Sequence, residues 1–580
     1  MRFPRIGMGS LREIFSGRRG RHLREYLTAY ALIAPALLLI FTFGIFPVVF
    51  ALYVSLHKWL IIRDEFTGLA NYETAVGSFA YIALFALGVG ALIGARALVR
   101  SVHRQAKADQ SSPWPLAIPS AVYAVVVLAF FRWAYLELPE FLDIASKMRG
   151  LERTRELFLR LLSEAFFAET AYAAWVLFVR LALLAVVIGL IAMQVRRSPT
   201  DPVYSARLTL AWLGLVVGVG LLIVTFSAVQ QAYAAAFQAG EDPGIWPQFV
   251  MIMSGIILLL LAWRLWRSAE GQSTNRHFAL RIFSAILLMV GAVLLIVEIP
   301  TVVASGDPAL WNGLKVTVFF SLGTVPIQLA IALFLSVLLF HQRRGAGVFR
   351  VIFFLPYVTP SLASATVFRL LFSERESAPM NRILEALGIG PQGWLRESEG
   401  VLSLLARALR LGDYPNSILP NWLPPDLSTL AADWLPGPSL ALVVVILLSI
   451  WTYVGYNVVI YLAGLANIPA ELGEAAEIDG ADRWGVFRHI TFPLLSPTTY
   501  FLSLIAIMGT FKAFDTIWLL RQSVGTGLGT LNTISVVIFE QFFVRTRYGY
   551  ASALAFVLFA IILALTYLNT RTQGTRVFYG

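Results

Sequence analysis

Residues 468–497 read IPAELGEAAEIDGADRWGVFRHITFPLLSP and separate two long apolar runs. Glu471, Glu474, Glu477, Asp479 and Asp482 outnumber Arg483 and Arg488, so the segment belongs in water. Ala475 and Ala476 favour a helix, and Gly480 permits a sharp turn because it lacks a β-carbon. Trp484 and Phe487 then resume an apolar stripe at i, i+3, and Pro493 and Pro497 mark the break before the next run. The spacing predicts two short helices joined at a glycine bend, with aromatic rings on one face. A water-exposed knob of that shape suits docking into another protein.

The runs on either side fix the class of chain that carries this knob. Hydrophobic side chains make up 58% of the 580 residues and charged ones only 14%, with a mean hydropathy of +0.73. Soluble chains hold about 45–50% apolar and about 25% charged residues, so most of this chain belongs in lipid. Apolar runs near 28–51, 79–95, 114–136, 171–194, 208–229, 247–263, 282–298, 315–340, 351–373, 438–466, 496–520 and 548–570 approach the roughly 20 residues that cross a bilayer. The expected fold is all-α, a polytopic membrane protein with about twelve transmembrane helices. The basic stretch RRGRHLREY (18–26) resembles the start of a signal peptide. The following apolar run is too long and lacks a small-residue cleavage site, so it reads as an uncleaved anchor.

Orientation follows from the basic residues between spans. With the N-terminus in the cytoplasm, the inward segments carry 25 Lys and Arg and the outward ones 15, although the latter are longer in total. Segments 230–246 and 299–314 contain neither residue, as outward loops should. Both termini are therefore expected inside, and the net charge of +11 reflects orientation, with no nucleic acid implied. Acidic residues weigh little in this rule, so the acidic 467–495 loop still falls on the cytoplasmic side. Of the outward segments, 137–167 mixes apolar and charged residues at helical spacing, as a helix lying on the membrane surface would. Residues 374–437, with the proline-rich YPNSILPNWLPPDL, form an outer cap. Both segments fit packing around the bundle as well as a binding role.

The sequence holds no cysteine and six scattered histidines, which excludes thiol chemistry, disulfides and Cys-ligated zinc and leaves no metal motif. It also lacks the G-x-x-x-x-G-K-[ST] phosphate loop; GTGLGTL (525–531) has no lysine and lies outside by topology. Polar groups inside spans are costly and mark pathways or helix contacts. Tyr453, Asn457 and Tyr461 recur at i, i+4, i+8, and Thr510, Lys512 and Asp515 interrupt the span after the loop, the last two spaced to pair. Aromatic rings beside amide and hydroxyl groups suit a sugar, which offers C–H faces and many hydroxyls. The same residues could equally hydrogen-bond a neighbouring helix.

Residues 468–497 resemble the EAA loop of the membrane-spanning subunits of bacterial ABC importers through Glu474, Ala475, Ala476, Gly480, Ile490 and Pro493, while Phe492 stands where leucine is commoner. WTYVGYNVVIYLAGLANIP (451–469), GTFKAFDTIWLL (509–520), RVIFFLPYVTPSLAS (350–364) and RYGYASALAFVLFAIILALTYL (547–568) are similar to the carbohydrate permeases of the maltose and glycerol-phosphate type. So are LTAYALIAPALLLIFTFGIFPVVFALYVSLHKW (27–59) and FTGLANY (66–72). The resemblance covers roughly 1–76 and 306–580. Removing 77–305 joins FTGLANYETAV to GDPALWNGLKVTVFF as in that family. Residues 1–76 then hold the first core helix and 306–580 the other five, with the cap 374–437 and the cytoplasmic loop 467–495. Residues 77–305 hold six inserted spans, an even number that returns the chain to the same side. The insert could serve as an accessory packing bundle or dock a partner or lipid.

The resemblance implies a non-enzymatic permease in the bacterial plasma membrane. Its coupling residues would be Glu474, Ala475, Ala476, Asp479, Gly480, Phe487, Ile490 and Pro493, and its substrate pathway would run past Tyr453, Asn457, Tyr461, Thr510, Lys512 and Asp515. The implied partners are a second homologous permease, two ATPase subunits that bind ATP and magnesium, an extracytoplasmic solute-binding protein and membrane lipid. No cofactor is expected on this chain. A self-contained secondary transporter would show internal repeats, and a scaffold no polar pathway.

Overall fold

In hydrocarbon the backbone has no hydrogen-bond partner but itself, so each long apolar run closes as a helix. The computed structural model describes residues 18–60, 63–152, 154–195, 201–240, 244–269, 274–341, 345–524 and 529–573. Among them, 11 helices are long and apolar enough to cross a membrane, and a bent pair makes up to 12. The glycine-rich residues 525–528 lie outside the described residues. The chain divides into two compact units, Met1–Gly77 with Met251–Gly580, and Ser78–Val250.

In the first unit, the helix Leu440–Ala466 is the pillar: half of its most apolar window is buried, more than in any other candidate span among the described residues. Its upper part packs Leu442, Val445 and Leu448 with Phe320, Phe368 and Ile517. Its lower part packs Val458, Leu462 and Leu465 with Leu329, Ala332 and Leu502. At Gly455 the pillar touches the backbone of the Ala346–Val358 helix so closely that a β-carbon would run into the Phe353 carbonyl. A small antiparallel hairpin, His57–Trp59 against Arg63–Phe66, follows the first span. There Asn71 Nδ2 donates to the Ser55 and His57 carbonyls at 2.8 and 3.0 Å, and the Tyr72 hydroxyl meets Ser55 Oγ at 2.7 Å. These bonds give FTGLANY a structural role in ending the span. The Asp307 amide donates to the Ala75 carbonyl at 3.0 Å, so the chain on either side of 77–305 meets itself.

In the segment 374–437, expected as the cap, buried Asn381 accepts from Trp394 Nε1 at 2.7 Å and from the Gln392 amide at 3.1 Å. Its amide nitrogen donates to the Arg375 carbonyl at 3.0 Å. Lys315 Nζ pairs with Asp433 at 2.7 Å, and the Phe319 ring packs tilted against Trp434, centroids 5.4 Å apart.

The second unit is helical. Phe79–Ala108 lies along Asp201–Ala239, where a β-carbon on Gly218 would come within 2.9 Å of the Gly88 carbonyl; small residues let membrane helices approach in this way. Trp133 and Trp175, 4.7 Å apart, link Ala117–Lys147 to Glu169–Val195.

Three expectations need correction. The 351–373 run is Ala346–Val358 and Ser361–Leu371, bent by 92°, because Pro360 holds Thr359 extended (φ −67°, ψ 133°). The 496–520 run ends a first helix at Lys512, is extended at Ala513 (φ −60°, ψ 125°) and restarts at Asp515. The outward segment 137–167 is not one surface helix: residues to Lys147 continue the Ala117–Lys147 helix, and Arg155–Phe166 is separate, capped by Thr154.

Candidate functional site

A cavity of about 440 Å³ opens between the pillar, the Pro308–Phe340 helix and the broken span Ser496–Gln522. All of its lining lies between Phe320 and Ile517. Five of the six polar residues singled out in the sequence line it: Tyr453, Asn457, Thr510, Lys512 and Asp515. Tyr461 does not; it is buried one turn further along and donates to Thr499 Oγ1 at 3.2 Å.

The break at Ala513 shapes this wall. It ends one helix at Lys512 and begins the next at Asp515, a cation at a C-terminus and an anion at an N-terminus, as the helix dipoles prefer. The turn also separates the two side chains. Both are exposed, and neither makes an ion pair among the described residues. Thr510, in contrast, is engaged, with its hydroxyl on Ser321 Oγ at 2.9 Å.

The opposite wall carries residues the sequence reading passed over. Thr324 and Gln328 face the cavity at i, i+4, buried to 1% and 3% exposure. Thr324 Oγ1, Gln328 Oε1 and Asn457 Nδ2 are buried without a hydrogen-bond partner. An unpaired buried polar atom costs about 1–3 kcal/mol, and all three belong to residues that line this one space. Tyr357 adds an aromatic edge, its ring 4.9 Å from Tyr456 and 5.8 Å from Tyr453. The close crossing at Gly455 and the Pro360 bend hold that ring over the cavity. The chemistry of the lining is neutral donors and acceptors, three phenol rings and one charge of each sign.

The acidic loop has the predicted form. Ala470–Ile478 is helical and Gly480 takes φ +87°. The Ala481 amide reaches back to the Ala476 carbonyl at 2.9 Å and the Gly480 amide to Glu477 at 3.1 Å, a Schellman-type helix end. Asp482 then caps Arg483–Val486 by accepting from the Gly485 amide at 2.8 Å. The second helix passes into a π-helical turn over Phe487–Thr491, which contains Ile490, before Pro493. Trp484 and Phe487 stack at 5.5 Å. Ile478, Trp484 and Phe492 are 87%, 62% and 50% exposed, so the knob offers apolar surface above an acidic rim of Glu474 and Asp479. Ala475 and Ala476 lie in its first helix.

A polytopic helical chain with a polar cavity among its spans and an exposed acidic knob between two of them has the form of a membrane transport subunit. The family described as Binding-protein-dependent transport system inner membrane component matches residues 328–573, which include the knob and most of the cavity lining. The chain is 30% identical over 276 residues to the probable ABC transporter permease protein YesP of Bacillus subtilis, covering 47% of this chain and 76% of that one. It is 29% identical over 267 residues to the arabinooligosaccharides transport system permease protein AraP of the same species, covering 46% and 71%. A crystal structure of a bacterial ABC transporter for the import of alginate aligns with a TM-score of 0.37 at 19% identity, over 48% of this chain and 82% of that one. The chain belongs to the family of binding-protein-dependent inner membrane components, the permeases of ABC importers.

Proposed function

We propose that this permease moves a sugar or short oligosaccharide through the cavity between Gln328 and Asp515, in a complex with a second homologous permease, two ATPase subunits and an extracytoplasmic solute-binding protein. The single observation that carries this reading is the ring of unpaired buried polar atoms on Thr324, Gln328 and Asn457 beside the phenols of Tyr357, Tyr453 and Tyr456. Neutral hydroxyls satisfy those atoms without the desolvation cost of an ion, and phenol faces cover sugar C–H surfaces. The arabinooligosaccharide permease among the relatives supports the same substrate class.

In this reading Glu474, Ala475, Ala476, Asp479, Gly480, Phe487, Ile490 and Pro493 form the element that seats in the ATPase, where ATP and magnesium are bound. Both termini lie in the cytoplasm. Residues 77–305 are an insertion in the first outer loop; the Ala75–Asp307 hydrogen bond supports it by bringing the flanking chain together. The deciding experiment reconstitutes the chain with its copurified subunits in vesicles and follows radiolabelled oligosaccharide with and without ATP. Uptake that requires ATP and binding protein supports the reading. Uptake driven by an ion gradient alone would instead favour a secondary transporter.

A further inference from the structure

Within the unit Ser78–Val250, an apolar groove of about 710 Å³ lies between Phe79–Ala108 and Asp201–Ala239, walled by Val89, Leu92, Ile93 and Leu215. Arg96 and Arg100 line its rim, and an adjoining recess of about 560 Å³ shares Arg100 and Trp114 and adds His103 and Arg104. Arg96, Arg100 and Arg104 follow one another every four residues along one side of the helix and are exposed; among the described residues none has a hydrogen bond or ion pair. Asp109 accepts from the Tyr204 hydroxyl and Gln105 from Arg207, and among the described residues neither is paired with these arginines. The groove therefore ends in three cations with no anion of their own.

The lengths also fit one ligand class. From Val89 to Arg100 a helix rises about 16 Å at ~1.5 Å per residue, close to half of a ~30 Å hydrocarbon core. The slot thus spans one leaflet, with its cations at headgroup depth. Trp114, which lines both recesses, is the residue type that sits at that depth. A free anion would leave the apolar slot unfilled, and a neutral hydrocarbon would leave the arginines unpaired. We propose that the groove binds one anionic glycerophospholipid, an acyl chain along Val89, Ile93 and Leu215 and the phosphate on Arg96, Arg100 and Arg104. Arginine suits the phosphate through its forked donors.

Native mass spectrometry of the purified full-length chain, titrated with phosphatidylglycerol or phosphatidylcholine, tests this. Phosphatidylglycerol should be retained preferentially, and the double variant Arg96→Gln, Arg100→Gln should weaken its retention roughly tenfold or more while leaving phosphatidylcholine unchanged. Millimolar glycerol phosphate should not displace the lipid. Equal binding of the two lipids, unchanged binding in the variant, or displacement by glycerol phosphate alone would overturn the proposal. Should the variant misfold, phosphatidylglycerol with a photoreactive acyl chain should label the wild-type peptides carrying Ile93 and Leu215. Labelling that spares them would overturn it as well.

Discussion

The cavity beside Asn457 and the groove beside Arg96 are hollows of about 440 and 710 Å³, and they distribute polarity in opposite ways. In the cavity, neutral donors and acceptors on Thr324, Gln328 and Asn457 are buried and unpaired while the charges on Lys512 and Asp515 are exposed. In the groove the floor is aliphatic and the charge is gathered at one rim. The first pattern answers a guest that carries hydroxyls over its whole surface; the second answers an amphiphile. Volume alone would have ranked the groove first. In the two proposals, the placement of unsatisfied groups is what separates a route for cargo from a seat for lipid.

The sharpest way to break this contrast is Gly455→Ala. The added carbon meets backbone on the Ala346–Val358 helix, which cannot rotate away as a side chain would. A cost of about 3 kcal/mol, the upper end of overpacking penalties, is expected. Thermal unfolding should fall accordingly, while lipid photolabelling near Ile93 persists. Wild-type stability would show that the Gly455–Phe353 crossing can open without cost.

Next comes Gly480→Val, which touches neither hollow. Its φ of +87° imposes about 1–3 kcal/mol on a β-branched residue, although open space surrounds the position. Sugar-stimulated ATP hydrolysis and uptake should both drop in complexes of unchanged subunit content, with membrane insertion intact. Wild-type values for both would defeat the docking role of the knob. Glu474→Gln should act in the same direction but more weakly, and more so at low salt.

Asn457→Leu sharpens the contrast from within the cavity. It removes a buried unpaired nitrogen, so the folded protein should be as stable as wild type or slightly more so. kcat/KM for uptake should still fall roughly tenfold, the equivalent of about 1.4 kcal/mol of lost contact with the guest. Parallel loss of assembly and uptake would return Asn457 to helix packing. The smallest effect belongs to Lys315→Ala at the cap: Asp433 is 57% exposed, so the pair contributes about 1 kcal/mol or less. Its loss should show as faster proteolysis of the cap, and an unchanged rate would remove the pair from cap anchoring.

The spans were legible because lipid allows the backbone little else, and the knob because one glycine and one alanine pair fix its shape. The bend at Thr359–Pro360 was also written in the sequence, but continuous hydropathy over 351–373 concealed it. The break at Ala513 has no adjoining proline or glycine to announce it. Thr324 and Gln328 repeat the i, i+4 signal of Tyr453 and Asn457 and could have been found by the same rule. Tyr461 stands apart from the cavity for a geometric reason. Eight residues on from Tyr453, it has rotated roughly 80° around a 3.6-residue helix, enough to leave the cavity and reach Thr499.

The hydrogen bond from Asp307 to Ala75 makes residues 77–305 a detour whose ends are already closed. Holding two points of a chain together normally carries an entropic cost that grows only slowly with the length between them. Once a direct contact fixes those points, the intervening stretch can lengthen, shorten or be exchanged with little effect on that closure. Under the proposed insertion, such a position is a graft point, where a gene can accept a foreign helical cassette, provided it crosses the bilayer an even number of times. The helix Thr274–Ser305 limits that freedom on the return side, because it packs on Pro425–Trp434 of the cap. A cassette exchanged between Ser78 and Val250 would spare that contact.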